Sequence, residues 1–251
     1  MKSSNPALSK NIFTKAKDLA SLNAEPMTIM GTVNKTGILL VLVFASAMVS
    51  WYMFMNAVAA NQAPPMVFIW VGMIGGLVLA MITIFKKTVA HITAPLYALF
   101  EGLFLGSLSA IFELQFPGIV TQAIMGTFCV FFAMLFIYRY RIIKPTENFK
   151  LGLAAATSGI FLIYLLTMIL GFFGVNIPFI HESGLIGIGF SLFVVVIASL
   201  NLVMDFDFIE QGEAEKAPKF MEWYGAFGLL VTLIWLYIEI LRLLSKLRSR
   251  N

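Results

Sequence analysis

The sequence predicts an all-α polytopic membrane protein, a bundle of seven transmembrane helices, and three observations support this prediction. Of its 251 residues, 60% are hydrophobic and only 12% are charged, whereas a soluble domain carries about 25% charged residues. The hydrophobic residues lie in continuous runs of helical length rather than in the alternating pattern of a membrane β-barrel. The net charge of +4 is explained by short basic segments between those runs, so we expect no nucleic-acid partner.

Seven apolar runs of about 20 residues, the length that crosses a bilayer as a helix, follow a polar N-terminal segment. We expect spans at residues 36–59, 66–85, 92–112, 119–138, 151–173, 185–204 and within 220–244. Residues 1–34 form a cytoplasmic tail in this scheme, either disordered or with an interfacial helix over residues 6–22. Residues 35–251 form a single seven-helix membrane domain, since no linker is long enough to separate a second one.

The distribution of lysine and arginine predicts which ends of the helices face the cytoplasm. The opposite loops carry neither residue, whereas the loops after the second and fourth runs carry Lys86, Lys87, Arg139, Arg141, Lys144 and Lys150. We therefore expect a multi-pass protein of the cell (inner) membrane with a cytoplasmic N-terminus. The side of the C-terminus stays open. A full seventh crossing places the basic C-terminal residues outside, whereas a re-entrant segment returns them to the cytoplasm.

Acidic residues in the apolar runs are the candidate functional residues, because a charge at bilayer depth costs at least about 2.5 kcal/mol. Asp205 and Asp207 end the sixth run, Glu239 lies in the seventh and Glu101 in the third. The two aspartates point about 200° apart around a helix, and Asp205, with its apolar neighbours, is the better candidate for the bundle interior. The alternative is that both aspartates only mark the cytoplasmic end of the helix.

Glu239 has two interpretations that depend on its depth. In a helix that starts near Phe220 it lies about 28 Å from the start, on the opposite side of the bilayer from Asp205. If residues 220–228 lie along the interface instead, Glu239 reaches mid-depth and can pair with Asp205. Arg242, at i+3, could also neutralise Glu239 with no functional consequence. Glu101 is either a protonated or hydrogen-bonded carboxyl turned to the bundle, or part of an ion path.

Two carboxyl groups that meet in a low-dielectric interior cannot both ionise cheaply, so they take up and release protons as a unit. Protonated, they can share a hydrogen and hold two helices together. Ionised, they repel each other and attract a cation such as Ca²⁺, which prefers oxygen ligands. A pair of Asp205 and Glu239, with Asp207 close by, would therefore bind Ca²⁺ and act as a pH sensor and ion gate. With two His and one Cys, a zinc-type site is excluded, and no cofactor is expected.

Several segments, taken in order, resemble the Bax inhibitor family of transmembrane proteins, in its bacterial type. They are Gly102 with residues 103–106, Ile-Met-Gly-Thr at 124–127, Tyr-Arg-Tyr-Arg at 138–141, and residues 203–209 and 235–244. The resemblance implies a seven-helix bundle with the C-terminal helix at its centre, and a pH-sensitive calcium leak gated by two acids. Asp205 would be the first acid and Glu239 the second. The family usually has Asp at the second position, and Asp207, Glu101 and the long loop before the last helix are further departures.

Two functions from different classes follow from these observations. The first is a passive cation leak, with the lipid bilayer, Ca²⁺ and protons as its partners. The second is a non-enzymatic membrane regulator that binds a membrane protease or quality-control complex through the N-terminal tail and the loop over residues 210–219. We expect no enzyme, because the Gly-x-Gly-Asp element that usually accompanies the acids of an intramembrane aspartyl protease is absent from the sequence.

Overall fold

The computed structural model describes residues 25–173 and 184–250. Over these ranges the regular structure is helical, without a β-strand and with one isolated antiparallel bridge between Pro26 and Pro218. The seven α-helices are α1 (Ile29–Ala59), α2 (Val67–Phe85), α3 (Ala90–Gln115), α4 (Ile119–Arg139), α5 (Glu147–Phe172), α6 (Leu185–Ala214) and α7 (Met221–Ser249). All seven are long and apolar enough to cross a membrane, which confirms the prediction of an all-α, multi-pass membrane protein.

Two helices extend well beyond the apolar runs that predicted them. Helix α1 begins at Ile29 rather than at residue 36, because the Thr28 side chain accepts a hydrogen bond from the Gly31 N–H (3.0 Å) and caps the first turn. Helix α6 continues past residue 204 to Ala214 through a polar segment, since backbone hydrogen bonds form whatever the side chains are. The predicted interfacial helix over residues 6–22 lies outside the described residues.

Contacts between residues divide the chain into two compact units, and α6 and α7 each contribute to both. The first unit comprises the chain up to Ala110 together with Asp207–Leu230. The second comprises Ile111–Phe206 together with the residues from Val231 onward. Helix α7 buries 61% of its most apolar stretch, a larger share than any of the other six helices. Its position at the centre of the bundle stays a prediction, which this burial favours.

Small residues allow the helices of the first unit to approach each other closely. A Cβ atom added to Gly102 of α3 would lie 3.1 Å from the backbone nitrogen of Ala47 in α1, and one added to Gly106 would lie 2.8 Å from the Ala47 carbonyl carbon. Gly102 and Gly106, a small-xxx-small pair, therefore form a close contact between α3 and α1. Helix α2 is joined to α3 by a hydrogen bond from the Thr83 hydroxyl to the Thr93 hydroxyl (2.7 Å).

Hydrogen bonds in the second unit show where the C-terminal end of α7 lies relative to α4. Near the C-terminal end of α7, Arg248 Nη1 donates to the Pro117 carbonyl oxygen (2.6 Å) and Lys246 Nζ donates to the Gly187 carbonyl oxygen (3.0 Å). Pro117 precedes α4, and the other end of α4 is Arg139. The C-terminal end of α7, a single helix of 29 residues, therefore lies at the end of the second unit opposite the basic loop that starts at Arg139.

Candidate functional site

Asp205 lies on α6 in the second unit, and its carboxyl group meets α7 at Thr232. The Thr232 hydroxyl donates a hydrogen bond to this carboxyl, whereas Oδ2 of Asp205 is buried and has no hydrogen-bond partner in the described chain. The adjacent Phe206 packs against the rings of Phe131 and Tyr138, with centroid distances of 5.8 and 5.6 Å. A negative charge on Asp205 would therefore leave one buried oxygen without a hydrogen bond in apolar surroundings, which is energetically costly.

Glu239 is held in a different cluster of the second unit. Its Oε1 accepts hydrogen bonds from the Tyr164 hydroxyl of α5 (3.0 Å) and from Arg242 Nη1 (3.0 Å), one turn further along α7. Arg242 Nη1 also donates to the Tyr164 hydroxyl oxygen (2.7 Å), so the three side chains form a closed triangle. The Glu239 side chain is only 2% exposed. Arg242 thus supplies the neighbouring cation that the sequence offered as one interpretation of Glu239.

The structure does not bring Asp205 and Glu239 together, and none of the hydrogen bonds described for the two carboxyl groups joins them. The helices α6 and α7 run antiparallel from a short loop, so residues at similar distances from the loop lie side by side. Asp205 lies nine positions before Ala214, and Thr232 lies eleven positions after Met221, whereas Glu239 lies eighteen after it. Glu239 is therefore about 10 Å further along the α7 axis than Thr232.

Asp207 lies in the first unit, with surroundings different from those that the sequence suggested. The sequence placed Asp207 closer to water than Asp205, but its side chain is buried, with 8% exposure. Helix α6 continues for seven residues past Asp207, to Ala214, so Asp207 does not lie at the end of the helix. Gln211 Nε2, one turn further along, donates a hydrogen bond to the Asp207 carboxylate.

Glu101 lies in the middle of α3, in the first unit. The Tyr97 hydroxyl, one turn earlier on the same helix, donates a hydrogen bond to the Glu101 carboxyl. The carboxyl rests against the backbone of Gly76 in α2, where an added Cβ would lie 2.7 Å from Oε1 of Glu101. Glu101 is thus hydrogen-bonded within α3 and packed against α2, while its part in an ion path stays a prediction.

A fully buried acid that the sequence did not single out, Glu222, lies in the first turn of α7. Its Oε1 accepts hydrogen bonds from the Thr28 backbone N–H (2.9 Å) and the Thr28 hydroxyl (3.0 Å), and its Oε2 forms an ion pair with Lys35. Lys219 lies 3.4 Å from Oε1 of Glu222. The Glu222 carboxylate raises the pKa of Lys219, which lies outside the membrane-spanning segments, mainly by Coulombic attraction to the protonated amine.

Further contacts link the same two segments of the first unit. The Glu213 carboxylate accepts a hydrogen bond from the Ile29 N–H (2.8 Å), and the Met27 N–H donates to the Ala217 carbonyl oxygen (2.6 Å). We call residues 27–29, held by residues 213–222, the N-terminal clasp. In the sequence, only the helix-capping Thr28 points to the N-terminal clasp, because residues 213–222 lie more than 180 positions further along the chain.

The acids do not form a preformed calcium cage. Within residues 25–173 and 184–250, no group of three or more His, Cys, Asp or Glu side chains is close enough together to hold a metal ion. Ca²⁺ takes six to eight oxygen ligands when it is bound tightly in a protein.

A comparison with protein-family models identifies the family of the chain. The model described as "Bax inhibitor 1 like" matches residues 5–249, nearly the whole sequence. Neither the curated proteins nor the solved structures include a match. The matched segment contains all seven helices, with Asp205, Glu239, Asp207 and Glu101 among its residues. The chain is therefore a membrane protein that belongs to the Bax inhibitor 1 like family.

Proposed function

We propose that this protein is a passive, pH-sensitive cation leak for Ca²⁺, in which Asp205 is the group that responds to pH. The observation that carries the proposal is the buried Oδ2 of Asp205, which has no hydrogen-bond partner in the described chain. A polar group in this position is costly unless it carries a proton or gains a ligand. Both a proton and a cation would satisfy the carboxyl group, so the two compete for it.

The contact between Asp205 and Thr232 is the gate in this proposal. Protonated Asp205 is neutral, and α6 and α7 can stay closely packed around it without water. Ionised Asp205 attracts water and a cation to its free oxygen. The water that enters separates the two helices enough for hydrated Ca²⁺ to pass. We therefore expect the Ca²⁺ flux to increase with pH and to be small in acid.

Thr232 takes the place on α7 that the sequence assigned to Glu239 as the partner of Asp205. Glu239 then has a supporting role, because the Tyr164 hydroxyl and Arg242 already satisfy Oε1 of its carboxylate. Its triangle with those two residues ties α7 to α5 in the second unit. We place the protein in the inner cell membrane with the N-terminus in the cytoplasm, since the basic loops after α2 and α4 favour that side.

The experiment that tests the leak uses purified protein in liposomes loaded with a Ca²⁺-sensitive dye. An inward Ca²⁺ gradient at mildly alkaline pH should produce uptake above that of protein-free liposomes, and Asp205→Asn should abolish most of it. Asp207→Asn is the matched control, since it removes a carboxylate two positions away that lies in the other unit. Uptake equal in the wild type and in Asp205→Asn would overturn the proposal.

A second candidate function is that of a membrane regulator that binds a membrane protease or quality-control complex, and the N-terminal clasp favours it. The clasp joins residues 27–29 to residues 213–222, the two regions that the sequence assigned to partner binding. A partner bound to the tail would thus act directly on the connection between α6 and α7.

Deletion of residues 2–24, which leaves the clasp intact, should abolish co-purification with a membrane protease and spare the Ca²⁺ flux. Unchanged co-purification would count against this function.

A further inference from the structure

Glu101 carries a carboxyl group at the centre of α3, and no salt bridge to it is found among residues 25–173 and 184–250. It lies eleven residues after the first residue of α3 and fourteen before the last, about 17 and 21 Å along the helix axis. Its one hydrogen-bond partner among the described residues is the Tyr97 hydroxyl. A carboxyl at this depth without a counter-charge is costly when ionised, so a proton is the simplest group to neutralise it.

The groups packed around Glu101 offer no cation in exchange for that proton. Helix α2, which meets the carboxyl at Gly76, contains no titratable side chain over its whole length. On the side of α7, Tyr97 packs edge-on against Phe227 (5.0 Å between centroids), and the next ring is that of Tyr224. Helix α1, which contacts α3 at Gly102 and Gly106, has two titratable residues, Lys35 and Tyr52. Lys35 is paired with Glu222, and Tyr52 is 67% exposed.

The carboxyl group also has little freedom to move away from this position. A Cβ on Gly76 would lie 2.7 Å from Oε1 of Glu101 and 3.2 Å from its carboxyl carbon, so the group fits directly against the α2 backbone. Tyr97 is 4% exposed and holds the carboxyl from the other side. The glycine and the tyrosine together form a fitted site for one carboxyl group.

We propose that Glu101 and Tyr97 form a second proton-binding site, in the first unit, that loads and releases a proton independently of Asp205. Glu101 keeps partial exposure in a helix long and apolar enough to cross a membrane, so a lipid-soluble reagent can reach its carboxyl group. The site should therefore react with a lipid-soluble carbodiimide, which attacks protonated carboxyl groups. In that reaction the carboxyl proton goes to a carbodiimide nitrogen and the carboxyl oxygen bonds to the central carbon. The adduct then rearranges to a stable N-acylurea, and no atom leaves.

The test treats the wild-type protein in liposomes with dicyclohexylcarbodiimide between about pH 3.5 and pH 9, a range that includes the titration of an ordinary exposed glutamate as well as that of a buried one. Peptide mapping by mass spectrometry measures the adduct on Glu101. Glu147, exposed in the first turn of α5, is the comparison carboxyl in the same sample. We expect strong labelling of Glu101 in acid that falls about tenfold for each pH unit above its midpoint, as for a single titrating group. Asp205→Asn should leave this profile unchanged.

A second measurement does not depend on the reagent. The infrared C=O band of a protonated carboxyl should be present in acid in the wild type, and Glu101→Gln should lack one such band. Tyr97→Phe removes the donor that favours the ionised form, so labelling should persist to higher pH. Labelling of Glu101 no stronger than that of Glu147 at every pH would overturn the proposal. Equal labelling at all pH values would overturn it too, because such a carboxyl never releases its proton.

Discussion

The Thr232 hydroxyl donates a hydrogen bond to the Asp205 carboxyl and so joins α7 to α6 within the second unit. The two residues lie at nearly equal distances from the loop between their helices, eleven positions after Met221 and nine before Ala214. Glu239, two helical turns beyond Thr232, bonds instead to Tyr164 and Arg242. At the level of Asp205, α6 and α7 are thus joined by one acid and one hydroxyl rather than by two acids.

Thr232→Val should destabilise the protein at alkaline pH, because it leaves both oxygens of a buried, charged carboxyl without a hydrogen bond. The expected loss in the free energy of unfolding is about 1–3 kcal/mol, measured by thermal unfolding in detergent. Thr232→Ser, which keeps the hydroxyl, is the control and should lose much less. Equal losses for the two variants would mean that the methyl group, rather than the hydrogen bond, stabilises this contact.

Glu222→Ala should loosen the N-terminal clasp, since it removes the acceptor for Thr28 and leaves Lys35 without its partner. Breaking a buried ion pair costs about 3–5 kcal/mol, and we expect the lower end because Lys35 keeps some contact with solvent. Faster hydrogen exchange of the amides at residues 27–31 would report the opening. Glu215→Ala, at an exposed position in the same region, should leave these amides protected; similar exchange in both variants would contradict the clasp.

Gly106→Ala should weaken the packing of α3 against α1. The new Cβ would lie 2.8 Å from the carbonyl carbon of Ala47, and overpacking of this kind costs about 1–3 kcal/mol. Gly37→Ala in α1 is the matched control, because no atom lies within 4 Å of its added Cβ, and alanine favours helix by up to about 1 kcal/mol over glycine. The melting temperature should therefore fall in the first variant and rise slightly in the second; a fall in both would refute the close contact.

Tyr164→Phe should lower stability by about 1 kcal/mol, the usual net contribution of a lost hydrogen bond. It should leave the pH dependence of Ca²⁺ flux unchanged, because the triangle of Tyr164, Arg242 and Glu239 does not contain Asp205. Flux measured in liposomes at several pH values checks both this variant and Glu239→Gln. A shift of the flux profile in either one would assign the pH response to Glu239.

The number and identity of the helices could be predicted from the sequence, because hydrophobic runs of membrane-spanning length record burial in lipid directly. The ends of α1 and α6 could not, since Thr28 caps one and a polar segment extends the other. The end of α6, together with the start of α7, decides which residues of these two helices lie side by side.

The individual acids of the candidate site were found from their cost at bilayer depth, and the spacing of Arg242 indicated one partner of Glu239, but the partner of Asp205 was not found. The partner of Asp205 depends on where the loop between α6 and α7 begins and ends, which the apolar pattern does not show. Counting positions from Ala214 and Met221 would have pointed to Thr232. The contacts of Glu222 with Thr28 and Lys35 join segments 194 and 187 positions apart, and no local pattern predicts contacts of that kind.

The most direct test of the central claim, that the charge on Asp205 opens the leak, is the ratio of Ca²⁺ flux in the wild type to that in Asp205→Asn. We would measure it in liposomes of one composition between about pH 6 and pH 8. A carboxyl group that is buried without a counter-charge changes its charge in this range. The ratio should be near one in acid and increase with pH, because the amide imitates the protonated acid and cannot ionise. A ratio that stays constant over this range would contradict the claim, since the pH response would then belong to another group.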